Sequence, residues 1–260
     1  MACLSFCFAV LFFIGTIVFS DCAAACITFL ECEKEQEYEF KAEKGRVFII
    51  DEKNKKVKNS FAEVDGETYY AGKNGEMIKG WVKKDGEYYF FNRTSGVMQE
   101  KKTVDGVRLR EDGTAVKTKA AVKKINTMIK ARNILNKISR PSDKKEAKLK
   151  KSFDWIISFP YVRFRKLEKI YNKKGWEITF ANDIFDRKAG CCVSDAAAFA
   201  FLARECGYSK VYVGHDTSHA WTEIGNYVYD PLFAEAKNYD KYYKCPYKSY
   251  GLHHVGRRKI

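Results

Sequence analysis

Cys192, His219 and Asp230 occupy one C-terminal stretch, in the order Gly190-Cys191-Cys192, His219-Ala220-Trp221-Thr222-Glu223 and Tyr229-Asp230-Pro231. A thiol becomes a nucleophile near neutral pH when an imidazole takes its proton, and the imidazole works best when a carboxylate holds its tautomer. These residue types specify covalent attack on a carbonyl, with Cys192 as nucleophile, His219 as base and acid, and Asp230 orienting His219. Other readings of the same residues stand beside this one. Cys191 is a neighbouring thiol, and an Asp before a proline also opens a turn on its own account. His215 lies four residues before His219, a spacing that binds zinc when both residues share a helix. Gly214 and Asp216 argue for a loop there, so no metal and no other cofactor is expected.

The elements that must position these side chains are legible around them. The stretch from Val193 to Cys206 is rich in good helix formers, and Gly207 suits the left-handed position that ends a helix. Cys192 then falls in the first turn of a buried helix, entered through Gly190. Unpaired amides and the positive dipole end there favour a thiolate, and the Cys192 amide would serve an oxyanion. Cys206, at the opposite end, fits a buried structural thiol. Downstream, Lys210-Val211-Tyr212-Val213-Gly214 and Ala220-Trp221-Thr222-Glu223-Ile224 read as strands. Gly225-Asn226 is a hairpin turn signal ahead of Asn226-Tyr227-Val228-Tyr229-Asp230. Such a hairpin brings His219 and Asp230 side by side. Trp176, Asn182 and Trp221 are the candidates for a further oxyanion or substrate contact. Trp176 equally fits a core anchor and Asn182 a helix cap.

These residues resemble the transglutaminase-like superfamily. The likeness is carried by the run from Trp176 to Phe185, Gly190-x-Cys192, Leu202-Ala203-Arg204-Glu205-Cys206-Gly207-Tyr208, His219-Ala220-Trp221 and Tyr229-Asp230-Pro231, and covers about residues 120 to 235. The resemblance implies a papain-like α+β core, a central helix packed on an antiparallel sheet, with a Cys-His-Asp triad. It selects Cys192 over Cys191, because Cys191 falls on the variable position of Gly-x-Cys. It implies acyl transfer or hydrolysis at an amide carbonyl of a protein or peptide substrate, through a thioester. The alternative is a non-catalytic wall-binding adhesin that keeps the same fold as a scaffold.

A second informative segment precedes this one. Asp65-Gly66-Glu67-Thr68-Tyr69-Tyr70, Asp85-Gly86-Glu87-Tyr88-Tyr89-Phe90 and Asp105-Gly106-Val107-Arg108-Leu109-Arg110 recur about every 20 residues, a solenoid period. Each Asp-Gly turns the chain into a strand, and Gly75, Gly96 and Gly113 mark a second turn, so each unit reads as a β-hairpin. The run from Arg46 to Asp51 is a worn first copy. Residues 46–116 resemble the choline- or glucan-binding cell-wall repeats of Gram-positive surface proteins, on Gly80-Trp81, Tyr88-Tyr89-Phe90-Phe91 and Gly96-Val97-Met98. The resemblance implies binding of a wall polymer. A quaternary ammonium needs an aromatic cage. Trp81, Tyr88 and Tyr89 fit either such a cage or the repeat core, since Phe61 and Lys101 replace the tryptophan in the neighbouring copies.

The remaining chain gives organisation and address. Ala2 to Phe19 carries no charge and is almost wholly apolar, and Ala23-x-Ala25 follows, the pattern of a cleaved secretory signal. Its length and the missing basic residue ahead of it leave an uncleaved anchor as the one route to a membrane. Cys26, directly after Ala25, lacks the bulky aliphatic of a lipoprotein site. The expected layout is a signal peptide over 1–25, a linker over 26–45, repeats over 46–116 and the thiol domain over 117–260. Lys117 to Lys137 reads as a helix. A second begins with Ser142 or Asp143 as cap and carries Ala147, Phe153, Trp155 and Ile156 on its apolar face. Of the 47 basic residues 30 follow residue 116, with 14 of the 33 acidic ones, so that part carries +16. In a secreted or cell-surface protein such charge favours an anionic wall, and no nucleic-acid partner is expected. Nine cysteines fall to six after the signal, with Cys26–Cys32 and Cys206–Cys245 as conceivable pairs.

Overall fold

The structure, a computed structural model, describes residues 37–167 and 170–260. The signal segment and the Cys26–Cys32 pair lie outside these residues. Among the described residues no helix is long and apolar enough to cross a membrane.

The hairpin turns follow from their residues. β1 (Tyr38–Glu43) and β2 (Arg46–Asp51) join across Lys44-Gly45; β3 (Ser60–Val64) and β4 (Glu67–Ala71) join across Asp65-Gly66. β5 (Gly80–Lys84) and β6 (Glu87–Phe91) join across Asp85-Gly86, with β7 (Met98–Gln99) added beside β6; β8 (Thr103–Val104) and β9 (Val107–Arg108) join across Asp105-Gly106. Both residues of each turn have φ between 48° and 82°. Two consecutive positive φ angles make the turn whose twist matches paired strands, and Asp-Gly is the dipeptide that adopts it at least cost. The worn first copy is thus a full hairpin, and β1 lies within the stretch expected to be a linker.

Successive hairpins stack through a recurring contact. A Cβ on Gly96 would sit 2.7 Å from the Met77 sulfur, and one on Gly113 would sit 3.0 Å from the Met98 sulfur. The second glycines of the last two units, Gly96 and Gly113, therefore receive the methionine of the preceding unit, whereas Gly75 meets Lys56.

The chain then becomes helical. α1 (Lys119–Ile138) is capped by Thr118, whose hydroxyl accepts from the Ala121 amide at 3.1 Å. α2 (Lys145–Ile156) starts at Lys144 without a side-chain cap. Asp143 does not cap it, because its carboxylate takes the Arg140 amide and the Lys151 ammonium instead. Ala147 is exposed, and Leu149 supplies the buried position with Phe153 and Ile156. α3 (Trp176–Asn182) runs into a π-helical turn at Asp183–Arg187. α4 (Cys192–Glu205) follows, and Gly207 ends it at φ +94° as its left-handed glycine requires.

β10 (Val211–His215), β11 (Ala220–Ile224), β12 (Tyr227–Tyr229), β13 (Cys245–Pro246) and β14 (Gly256–Lys259) form one antiparallel sheet in the order β13-β12-β11-β10-β14. Short helices α5 (Pro231–Ala236) and α6 (Tyr239–Tyr242) lie between β12 and β13. α4 packs against α1, α2, α3, β10 and β11, and every residue from Ala196 to Ala203 is fully buried. The Thr222 hydroxyl, donating to the Ala196 carbonyl at 2.8 Å, pins β11 to this helix. The result is a mixed helix and sheet protein with small antiparallel sheets.

Repeats and helices share one core. Trp81, Tyr88, Phe90, Val107 and Leu109 pack with residues of α1 and α4. At that seam the buried Asp105 carboxylate receives Arg93, Arg204 and the Trp81 indole, and Arg93 also reaches Glu205. Cys206 and Cys245 are free thiols buried in separate apolar clusters, so this pair does not form a disulfide. Burial pushes the Cys206 thiol up to about 12, which suits a structural role.

Candidate functional site

α4 begins at Cys192, with Cys191 as its extended N-cap residue. Gly190 enters it because nothing larger fits: a Cβ there would lie 2.4 Å from the Ser194 Cβ and 2.7 Å from the Ile184 Cδ1. Gly190→Ala is accordingly expected to destabilise the protein by about 1–3 kcal/mol through overpacking, measured by urea denaturation.

The β11–β12 hairpin delivers the other two residues. Thr222 pairs with Tyr229, and the two-residue turn closes between Ile224 and Tyr227. His219 immediately precedes β11 and Asp230 immediately follows β12. The His219 Nε2 lies 2.8 Å from the Asp230 Oδ2, with the histidine side chain 8% exposed and the aspartate fully buried. An ionised carboxylate only accepts, so the proton of a neutral imidazole sits on Nε2 and Nδ1 is left as the basic nitrogen.

Asp230 reconciles its two sequence readings. Its Oδ1 caps α5 by accepting the Phe233 amide at 3.1 Å, with Pro231 in the first helical position, while Oδ2 takes His219. Oδ2 also accepts the Tyr250 hydroxyl at 2.7 Å. The Phe233 ring stacks on the imidazole at 4.3 Å between centroids and 11° between planes. The Asp216 carboxylate holds the His219 backbone amide at 2.7 Å. His219 is thereby fixed from three directions, with Tyr250 holding Asp230 behind it, and Tyr250, Phe233 and Asp216 are site residues that the sequence reading did not identify.

The two thiols face different neighbours. The Cys192 sulfur lies by the Ala220 amide, one residue from His219, whereas the Cys191 sulfur lies by the Val193 and Ser194 amides and 3.8 Å from the Ser194 hydroxyl. The two thiols also act on each other: the Cys191 thiol is lowered to about 6, first by its neighbour Cys192, and the Cys192 thiol is raised, first by Cys191 and then by burial. The helix-start amides thus serve Cys191, while Cys192 is the thiol on the side of the histidine strand. Among the described residues no hydrogen bond joins the Cys192 sulfur to the His219 ring; such contacts often tighten only with substrate bound.

The other expected site residues are placed as follows. Asn182 ends α3, donates to the Thr127 hydroxyl and the Ile178 carbonyl, and accepts from Lys130, so it pins α3 to α1 and has no donor left for an oxyanion. Trp221 is fully buried with its indole N–H on Glu223. Trp176 is buried against Tyr171, a core anchor. His215 ends β10 and stacks on Tyr171 at 3.4 Å and 8°; burial lowers its pKa. Asp195, one turn into α4, is a buried carboxyl whose pKa rises well above the usual range, by burial first and then by the charges at Cys191, Glu235 and Asp230.

In the repeats, Trp81 and Tyr88 are 1% and 4% exposed and donate to Asp105 and Asn126, at 2.9 and 3.1 Å. Of the two places open to them, an aromatic cage and the repeat core, they take the core, because α1 covers that side of the hairpin. Tyr89, on the opposite face of β6, is half-buried and meets Phe61 edge-on at 5.0 Å, and Phe61 in turn meets Tyr70 at 5.4 Å. Phe61 and Tyr89 leave aromatic surface between repeats, while Tyr70 is buried; Phe40, which is exposed, and Tyr69 form a second such pair.

Residues 58–102 match the choline-binding repeat family. The match ends well ahead of Cys192, His219 and Asp230. Among solved structures, the choline binding domain of Spr1274 of Streptococcus pneumoniae is 28% identical, over 30% of this chain and 93% of that one, with a TM-score of 0.28. Choline binding protein F of the same organism, solved with a peptidoglycan analogue, is 24% identical over 30% of this chain, with a TM-score of 0.28. A truncated alternansucrase of Leuconostoc mesenteroides is 24% identical over 32% of this chain, with a TM-score of 0.28. The matches span only 26% of choline binding protein F and 7% of the alternansucrase. No curated protein matches the chain.

Proposed function

We propose that this protein is a thiol enzyme of the transglutaminase-like, papain-like type, carried beside a cell-wall-binding repeat module at the cell surface or in the secreted fraction. The observation that carries the catalytic reading is the buried 2.8 Å His219–Asp230 contact, which the β11–β12 hairpin holds beside the helix start bearing Cys192. Cys192 attacks an amide carbonyl and passes its proton to Nδ1 of His219, while Asp230 supports the imidazolium through Nε2. The negative oxygen of the tetrahedral intermediate lies toward the amide of Cys192 at the start of α4. His219 then returns the proton to the departing amine, leaving a thioester. Water resolves it as a peptidase would; a lysine amine resolves it as a cross-link.

A binding-only reading has its own support, the choline-binding repeat match over residues 58–102. In it the repeats hold a wall polymer, with Phe61 and Tyr89 as half-buried aromatic surface, and the thiol domain is a scaffold. Retention on choline-substituted agarose with release by free choline is expected for either reading, and passage without retention leaves the repeats as a stalk. The readings separate when the purified chain is assayed in parallel for peptide hydrolysis and for incorporation of a fluorescent primary amine into protein. Either activity, lost in Cys192→Ala, supports the enzyme. Neither activity, with choline retention intact, supports the scaffold.

A further inference from the structure

A cavity of about 770 Å³ opens between the segment 163–167 and the turn 215–217. Arg163, Arg165 and Lys166 line it from the first segment, His215 and Asp216 from the second, and Tyr171 is part of the same lining. Both segments are fastened to the residues of the thiol site. The Val162 amide donates to the Gly190 carbonyl at 2.6 Å, which ties the basic segment to the loop ending in Cys191-Cys192. Asp216 holds the His219 amide from the other side. Tyr171 lies within the field of both thiols: its pKa is raised by burial first, then by negative charge at Cys192 and Cys191.

The charges of the cavity are unevenly committed. Arg165 is paired with Asp183, and the Asp216 carboxylate is taken up by the amides of Ser218 and His219. Arg163 makes one hydrogen bond, to the Tyr161 hydroxyl at 3.1 Å, and neither it nor Lys166 has an ion pair among the described residues. Phe164 and Val255, 39% and 72% exposed, add apolar surface to the same lining. Two cations without an ion pair among the described residues outweigh the one such carboxylate of the lining, Asp216, and over apolar surface near the thiol site they complement an extended peptide carrying negative charge.

We propose that this cavity is the subsite for a carboxylate carried by the peptide substrate near the attacked carbonyl, so that the enzyme prefers acidic segments. The assignment rests on the thiol-enzyme reading for its function. Its binding test does not depend on that reading. The full chain carrying Cys192→Ala is titrated, by fluorescence anisotropy, with a dye-labelled hexapeptide containing two glutamates and with its glutamine isostere. The glutamate peptide is expected to bind about tenfold more tightly at low salt, as two modest ion pairs allow. That advantage shrinks as salt screens it. It is lost in Arg163→Gln/Lys166→Gln and inverts toward a lysine peptide in Arg163→Glu/Lys166→Glu. Equal affinities, or an advantage that survives both double substitutions, overturn the assignment. Amidated and free C-termini on the glutamine isostere tell a terminal carboxylate from a side-chain one. Iodoacetamide labelling of the unsubstituted chain is read alongside: loss of its dependence on His219 strikes the thiol reading, and intact dependence without an acidic preference strikes the cavity alone.

Discussion

Cys192→Ala is expected to abolish acyl transfer, and His219→Ala to lower kcat/KM by about 10²- to 10⁴-fold, the range a positioned base contributes. Cys191→Ala should retain activity, because the Cys191 sulfur faces Ser194 and the Cys192 sulfur faces the histidine strand. Asp230 needs a gentler substitution. Asp230→Ala removes the partner of His219, the cap of α5 and the acceptor for Tyr250 together, so a loss of activity would be mixed with unfolding. Asp230→Asn keeps an acceptor for the Phe233 amide while removing the charge that supports the imidazolium. Its expected signature is lower kcat/KM with near-normal thermal stability. Steady-state kinetics on the four variants, with melting curves, checks all of this.

The second large effect is on stability. Asp105→Ala is expected to cost about 3–5 kcal/mol, because it removes the carboxylate partner of the buried Arg204 guanidinium and leaves Arg93 with Glu205 alone. Burial alone would raise the Asp105 pKa, but Arg93 and Arg204 outweigh it and hold the carboxyl well below its usual range. A depressed carboxylate pKa contributes stability that is present above the unfolded value of about 3.9 and lost only as pH falls through the folded one. The Asp105→Ala defect should therefore be flat from neutral to mildly acidic pH and narrow only in strong acid. Since Asp105 joins the third hairpin to α4, the loss should shift the unfolding of repeats and helices together. Urea titrations at several pH values, followed by fluorescence and by far-UV circular dichroism, would show coincident transitions moving to lower urea.

The parts of this fold that sequence reveals are those set by neighbours in the chain. Asp-Gly readily takes positive φ at both residues, as it does at Asp65-Gly66, Asp85-Gly86 and Asp105-Gly106, so the hairpins of the repeats could be read directly. The helix from Cys192 to Glu205, its ending at Gly207 and the β11–β12 hairpin are equally local, and with them the meeting of His219 and Asp230. What stayed hidden depends on distant packing. Tyr250 reaches Asp230 from beyond β13, and nothing in its local sequence marks it. Trp81 and Tyr88 have the same residue types whether they cage a ligand or pack in a core, and α1, more than 30 residues away, decides for the core. Asn182 had a free amide on paper, which Thr127 of α1 consumes. The division of labour between Cys191 and Cys192 was settled in sequence only by resemblance; in the fold it rests on which amides each sulfur meets.

Site-resolved alkylation tests the account most directly. The purified chain is treated with limiting iodoacetamide at neutral pH, and the rate of modification at each cysteine is followed by peptide mass spectrometry. The account predicts that Cys192, although itself buried, is modified first because His219 takes its proton, that His219→Ala slows this at least tenfold, and that Cys206 and Cys245, whose thiols burial pushes up, stay unreactive. Modification confined to Cys191, no modification of either residue, or a Cys192 rate unchanged by His219→Ala would contradict it.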